Sequence, residues 1–81
     1  MDDRAPGAPP LPSVAPGTVL RFAPGDWKYG GGEPLRIMFV RYRADLAYYD
    51  DEVWIEGRRL SEGGDDLGRL QALVRIDAIA P

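Results

Sequence analysis

The residues able to do chemistry are few in this sequence, and their spacing favours none of the common reactions. The 81 residues include no Cys and no His, which removes thiol catalysis, thiolate metal sites and the commonest general base. The hydroxyl groups of Ser13, Thr18 and Ser61 have no base at a spacing that would activate them. We therefore predict a protein that is not an enzyme and has no catalytic residue.

Carboxylates occur in two clusters, at residues 50–52 and 62–66. Paired carboxylates serve general acid-base catalysis or bind hard cations, but the alternating ligands of a calcium loop are missing here. The glycines at 30–32 likewise lack the Lys-Ser/Thr pair and the helix of a phosphate-binding loop. We interpret both clusters as solvated turns and the glycines as a mobile loop, and expect neither a metal nor a cofactor.

Aromatic side chains are the best candidates for binding. Phe22 and Phe39 fall on apolar faces of predicted strands, whereas most of the Tyr and Trp residues lie in loops or on outward positions. Because Tyr and Trp commonly anchor interfaces, we predict four partner-binding residues: Trp27, Tyr29, Tyr49 and Trp54. Partial burial under the long loop is the alternative.

The charged residues favour a protein partner over nucleic acid. The net charge is −3, and the basic residues are nine Arg and one Lys. Arg36, Arg41 and Arg43 are followed along the chain by acidic residues such as Glu52 and Glu56, which predicts opposite-charge pairs across strands. The alternative is an arginine stripe that, with the aromatic residues, binds single-stranded nucleic acid.

The chain divides into a tail and one domain. Residues 1–16 contain five prolines, which fix φ and remove donors, so we expect a disordered proline-rich tail. Pro6, Pro9 and Pro12 recur every three residues, as on one face of a polyproline II helix. The tail is either a docking ligand or a linker, and residues 17–81 form the predicted domain.

The domain contains four strand patterns joined by turns and loops. Alternating apolar residues place strands at residues 18–23, 35–43, 52–60 and 67–76. Residues 24–34 form a long loop, 44–51 a connector with room for a helical turn, 61–66 a turn, and 77–81 a 3₁₀ turn or final strand. Val53 and Ile55 are expected to point inward and Trp54 outward. A bulge at Gly57 would return Leu60 to the core.

Four or five short strands in about 65 residues predict an all-β domain that closes into a small barrel. Their order and loop lengths resemble an SH3-like barrel. The segment 53–57 with Leu60, Gly68 and residues 73–75 is similar to short uncharacterised actinobacterial proteins that share a tryptophan-glycine hairpin. The resemblance implies a fold and no known activity.

The expected function is a protein-binding module or small accessory subunit. The alternatives are a nucleic-acid-binding barrel and a regulatory appendage that docks through its proline-rich tail. No run approaches the roughly 18 apolar residues of a transmembrane helix, and the N-terminal residues lack the apolar core of a secretory signal. We therefore expect a cytoplasmic protein without a membrane partner.

Overall fold

The fold, in a computed structural model that describes residues 11–43 and 51–80, is a single antiparallel sheet. Its strands are β1 (Val19–Phe22), β2 (Leu35–Tyr42), β3 (Glu52–Leu60) and β4 (Asp66–Arg75), and they lie side by side in chain order. Two short 3₁₀ helices, Pro24–Asp26 and Ile76–Ala78, follow β1 and β4. The predicted all-β class is confirmed, and the sheet has four of the four or five antiparallel strands expected.

One face of the sheet packs into the core. Val53 and Ile55 are fully buried, as their alternation with Trp54 predicted. The core also contains side chains from every strand and from the segments after β1 and β4: Leu20, Phe22, Trp27, Leu35, Ile37, Phe39, Ala72, Val74, Ile76 and Ile79. Burial of these apolar side chains is the main stabilising contribution available to so small a domain.

The sheet is not closed into a barrel, so that part of the prediction was wrong. Among the described residues, β1 and β4 form the two edges of the sheet. The segment after β1 reaches β4 only at an isolated bridge between Trp27 and Val74, beside a bond from the Lys28 amide to the Leu73 carbonyl. β1 ends at Phe22 because a 3₁₀ turn begins at Pro24, one residue further on. The strand is therefore too short to form a ladder with β4 as well.

The predicted bulge at Gly57 belongs to the neighbouring strand. The register of β2 on β3 shifts between Phe39 and Arg41, so Val40 is the extra residue. The shift turns Tyr42 to the core side, where its ring lies 4.9 Å from that of Phe39, edge to face. Gly57 is needed for close approach, since a Cβ there would lie 2.2 Å from the Met38 carbonyl oxygen.

A second shift lies between Arg59 and Leu60. It leaves Leu67 of β4 as the extra residue, and the Leu67 side chain is 60% exposed. Leu60 is half-buried and is not part of the core. The two bulges lie on β2 and β4, so the prediction that a bulge in β3 at Gly57 returns Leu60 to the core was wrong.

Residues 11–17, at the end of the predicted tail and the start of the predicted domain, contact the sheet. Leu11 and Val14 pack against the core, and the Tyr42 hydroxyl donates a 2.7 Å hydrogen bond to the Pro12 carbonyl. The Gly17 amide donates to the Phe39 carbonyl. The predictions for residues 1–10, for most of the connector at 44–51 and for Tyr49 lie outside the described residues.

Candidate partner-binding surface

The candidate site lies on the side of the sheet opposite the core, which we call the outer face. Side chains alternate between the two faces of a strand, so the outer face is formed by the residues between the core positions. On the three longer strands these are Arg36, Met38 and Arg41 of β2, Trp54, Glu56 and Arg58 of β3, and Arg69, Gln71 and Leu73 of β4. This face combines arginines, one buried carboxylate and one tryptophan.

Tyr29 and Trp54 form an aromatic pair at one end of the outer face. Their ring centroids lie 6.5 Å apart with an interplanar angle of 15°. Trp54 is half-buried opposite Leu73 on β4, whereas the Tyr29 side chain is 84% exposed. The pair therefore presents the exposed ring of Tyr29 to solvent, supported by the half-buried ring of Trp54.

Lys28 anchors the backbone next to Tyr29. Its amide donates to the Leu73 carbonyl, and its ammonium lies 3.0 Å from the Glu52 carboxylate. The hydrogen bond and the charge of Glu52 raise the pKa of Lys28. Tyr29 itself has a φ of +65°, a left-handed conformation that costs a non-glycine residue about 1–2 kcal/mol.

Glu56 is the buried charge at the centre of the outer face. Its carboxylate accepts hydrogen bonds from the Gln71 amide at 3.2 Å and from the guanidinium groups of Arg43 at 2.8 Å and Arg41 at 3.5 Å. These partners hold the pKa of Glu56 below its ordinary value, with the Gln71 amide contributing most. Glu56 is only 6% exposed. A buried charge is costly unless it is paired and hydrogen-bonded, and these three partners meet that requirement.

Other arginines of the outer face are also engaged. Arg58 binds both carboxylate oxygens of Asp66, at 3.0 and 3.2 Å, and the guanidinium of Arg36 donates to the carbonyls of Ser61 and Glu62. The Gly68 amide and Arg58 lower the pKa of Asp66. Most guanidinium groups on this face thus already have acceptors within the described chain.

The structure brings together two of the four predicted contact residues. Tyr29 and Trp54 are adjacent on the outer face, and Tyr49 lies outside the described residues. Trp27 is 8% exposed and belongs to the core, so it is not available to a partner. Its burial corresponds to the alternative left open for the aromatic residues.

Trp27 also anchors the loop that the glycines marked as mobile. Its indole N–H donates to the Glu33 carbonyl at 2.8 Å, and the Arg59 guanidinium lies 5.5 Å from its ring centroid. Gly30 packs so closely on the ring that a Cβ would lie 2.3 Å from an indole carbon. Sequence reasoning missed this arrangement because it depends on contacts between loop and strand.

The ion pairs of Arg41 and Arg43 with Glu56 agree with the opposite-charge pairs predicted across strands, whereas the burial of Glu56 and its bond to Gln71 were missed. Glu56 follows Trp54 on the outward parity, and arginines occur at 41 and 43 on the preceding strand. Only the bulge at Val40 places Arg41 directly opposite Glu56. In the part of the chain that the structure describes, no three Asp or Glu side chains are grouped to hold a metal ion.

Known proteins give no family assignment. No family model, curated protein or solved structure matches the chain significantly. Among residues 11–43 and 51–80, no helix has the length and apolar character to cross a membrane.

Proposed function

We propose that the chain is a non-enzymatic protein-binding module, or a small accessory subunit, whose partner docks on the pair formed by Tyr29 and Trp54. The observation that carries the proposal is the exposed Tyr29 ring, stacked on a half-buried Trp54. A side chain that is already held in place loses little entropy on binding. Tyr and Trp are also the residues most often found as energetic anchors of interfaces.

The backbone of Tyr29 supports the same proposal. A left-handed φ favours Gly or Asn, yet this position carries a large aromatic residue whose side chain is mostly exposed. The ring contributes little to packing within the domain, since it is 84% exposed and, among the described aromatic side chains, contacts Trp54 alone. Strained residues of this kind are concentrated at functional sites.

The charges of the outer face favour a protein over nucleic acid as the partner. Arg41 and Arg43 are paired with Glu56, and Arg58 is paired with Asp66. A phosphate backbone binds cations that are free to replace its counterions, whereas these three guanidinium groups already share two carboxylates. A surface of paired charges beside an aromatic anchor is typical of protein interfaces.

The test is site-specific photo-cross-linking followed by affinity measurement. A photoreactive phenylalanine analogue at position 29 of the full chain is expected to capture a protein in the native cell, while the same group at Val40 is the control. With the captured protein purified, Tyr29→Ala and Trp54→Ala should each weaken binding by at least tenfold, as expected of hot-spot residues.

Val40→Ala is the matched control for affinity, because Val40 is exposed but distant from the aromatic pair in the register of the sheet. Equal effects of Val40→Ala and Tyr29→Ala would refute the aromatic surface. Submicromolar binding of an oligonucleotide at about 150 mM salt, lost on Arg69→Ala, would replace the protein partner with nucleic acid.

A further inference from the structure

We infer that the free edge of β1 accepts an extended segment of a partner protein, in which acidic residues alternate with apolar residues, as a fifth strand of the sheet. This inference goes beyond the proposed function, because β1 is separate from the pair formed by Tyr29 and Trp54. It rests on the backbone of β1, on the charge beside it and on the groove where it ends.

The backbone groups of β1 are available for pairing. The Phe39 amide donates to the Thr18 carbonyl, so Thr18 faces β2, and by alternation Leu20 and Phe22 do too. Val19 and Arg21 therefore direct their amide and carbonyl groups away from the sheet. No other described segment forms a backbone hydrogen bond with these two residues.

The charge at this edge selects an acidic partner. Arg21 lies directly opposite Arg36 on β2, and like charges in that position are unfavourable. The guanidinium of Arg36 is held by backbone carbonyls, which do not neutralise it. Arg21 is exposed and forms no ion pair with the described residues. A carboxylate on a strand added beside β1 would neutralise Arg21 on the outer face.

The same edge explains the apolar half of the pattern. Leu20 and Phe22 alternate with Arg21 and point into the core. On an added strand, residues that alternate with the acidic ones face the core side, where apolar side chains extend the buried surface. A partner strand beside β1 is thus expected to carry acidic residues on the outer face and apolar residues on the core side.

A groove of about 400 Å³ lies at the end of β1, and Arg21 forms part of its wall. Leu60 and the exposed Leu67 supply apolar surface, and Glu33 and Glu62 also line it. Glu33 is engaged with Arg59 at 3.6 Å. The groove provides space for side chains of the partner beyond the short ladder on β1.

A second copy of β1 is a poor occupant of the same edge. Pairing two copies would gather two Arg21 and two Arg36 side chains on one face, and no carboxylate would enter with them. Edge strands commonly carry such charges, which discourage self-association. The charge that opposes self-pairing favours an acidic strand.

The experiment uses the full chain, labelled with ¹⁵N, and a synthetic peptide of alternating Glu and Val with blocked ends. We expect the peptide to bind and to protect the amides of Val19 and Arg21 from hydrogen exchange. A peptide with Lys in place of Glu should bind several-fold more weakly, because an opposite-charge cross-strand pair becomes a like-charge pair.

Two variants test the assignment of the edge. Arg21→Glu should reverse the preference, so that the Lys peptide binds more tightly than the Glu peptide. Val19→Pro removes an outward amide without touching the ladder to β2 and should abolish binding of both peptides. If Val19→Pro does not fold, Arg21→Glu alone decides, since an exposed substitution changes stability little.

Several results would overturn the inference. They are the absence of binding at millimolar peptide, equal binding of the Glu and Lys peptides, and protection confined to the amides of β4. Loss of the photo-cross-linked partner on Tyr29→Ala leaves the result at β1 unchanged, so failure at either surface is distinguishable from failure at the other.

Discussion

Replacing Trp27 with alanine should remove most of the stability of this domain. Trp27 is 8% exposed, lies in the core, and is the only residue outside the named strands that forms a described bridge to β4. Truncation of a buried Trp costs about 3–5 kcal/mol. The hydrophobic core of a domain below about 70–80 residues rarely supplies more than about 3–5 kcal/mol, so we expect Trp27→Ala to be close to unfolded at 25 °C.

The contacts of the indole explain why the loss should fall in the upper part of that range. Its N–H bond to the Glu33 carbonyl disappears, and that carbonyl is left without the bond. The Arg59 guanidinium loses the ring over which it lies, and Gly30 loses its packing surface. Urea denaturation followed by far-ultraviolet circular dichroism measures the change. Trp27→Phe, which retains much of the apolar volume, should lose clearly less.

The matched control is Trp54→Ala. Trp54 is half-buried, so its truncation should cost about 1–2 kcal/mol, less than the value for full burial. The single-tryptophan variants Trp54→Phe and Trp27→Phe report on the remaining indole. Emission from Trp27 should be blue-shifted and poorly quenched by iodide, and emission from Trp54 more quenchable. A loss below about 1 kcal/mol for Trp27→Ala, or a larger loss for Trp54→Ala, would refute the assignment of Trp27 to the core.

Three further changes test the packing of the sheet. Gly57→Ala should destabilise the domain by about 1–3 kcal/mol, because the new Cβ would clash with the backbone of β2. Gly25→Ala is the control, since a Cβ there has no neighbour within 4 Å. The thermal midpoints of the two variants measure the difference. Leu11→Ala should lower the thermal midpoint by several degrees, whereas Ser13→Ala should not, because Ser13 is exposed. Equal midpoints would show that Leu11 does not contribute to the packing of the domain. The lowered pKa of Glu56 stabilises the fold above the ordinary pKa of a glutamate, and this contribution is lost as pH falls through the folded value; Glu56→Gln should flatten the acid limb of stability measured from pH 7 to 3.

The strands and their inward residues could be predicted from the sequence because alternation is a local property. Val53 and Ile55 point inward whatever lies beside them, since neighbouring side chains on a strand point to opposite faces. The outward side of Trp54 follows from the same rule, and the structure places it on the outer face.

The assignment of the aromatic residues required the tertiary structure. Trp27 and Tyr29 occupy the same glycine-rich loop, and nothing local separates them. Trp27 is buried because it reaches Val74, 47 positions away in the sequence, whereas Tyr29 is left exposed on Trp54. Burial in a loop depends on where the chain lies against the strands, which periodicity does not encode.

Whether the sheet closes into a barrel, and where its bulges lie, also depend on tertiary contacts. The sequence by itself determined the all-β class, the four strands, the inward positions of β3 and the lack of Cys and His chemistry, because these follow from residue type and period. Only the folded chain determined the open edges, the site of the bulge at Val40 and the network around Glu56. The physical reason is that a one-residue change of register moves every later side chain to the other face, and register depends on how distant strands pack.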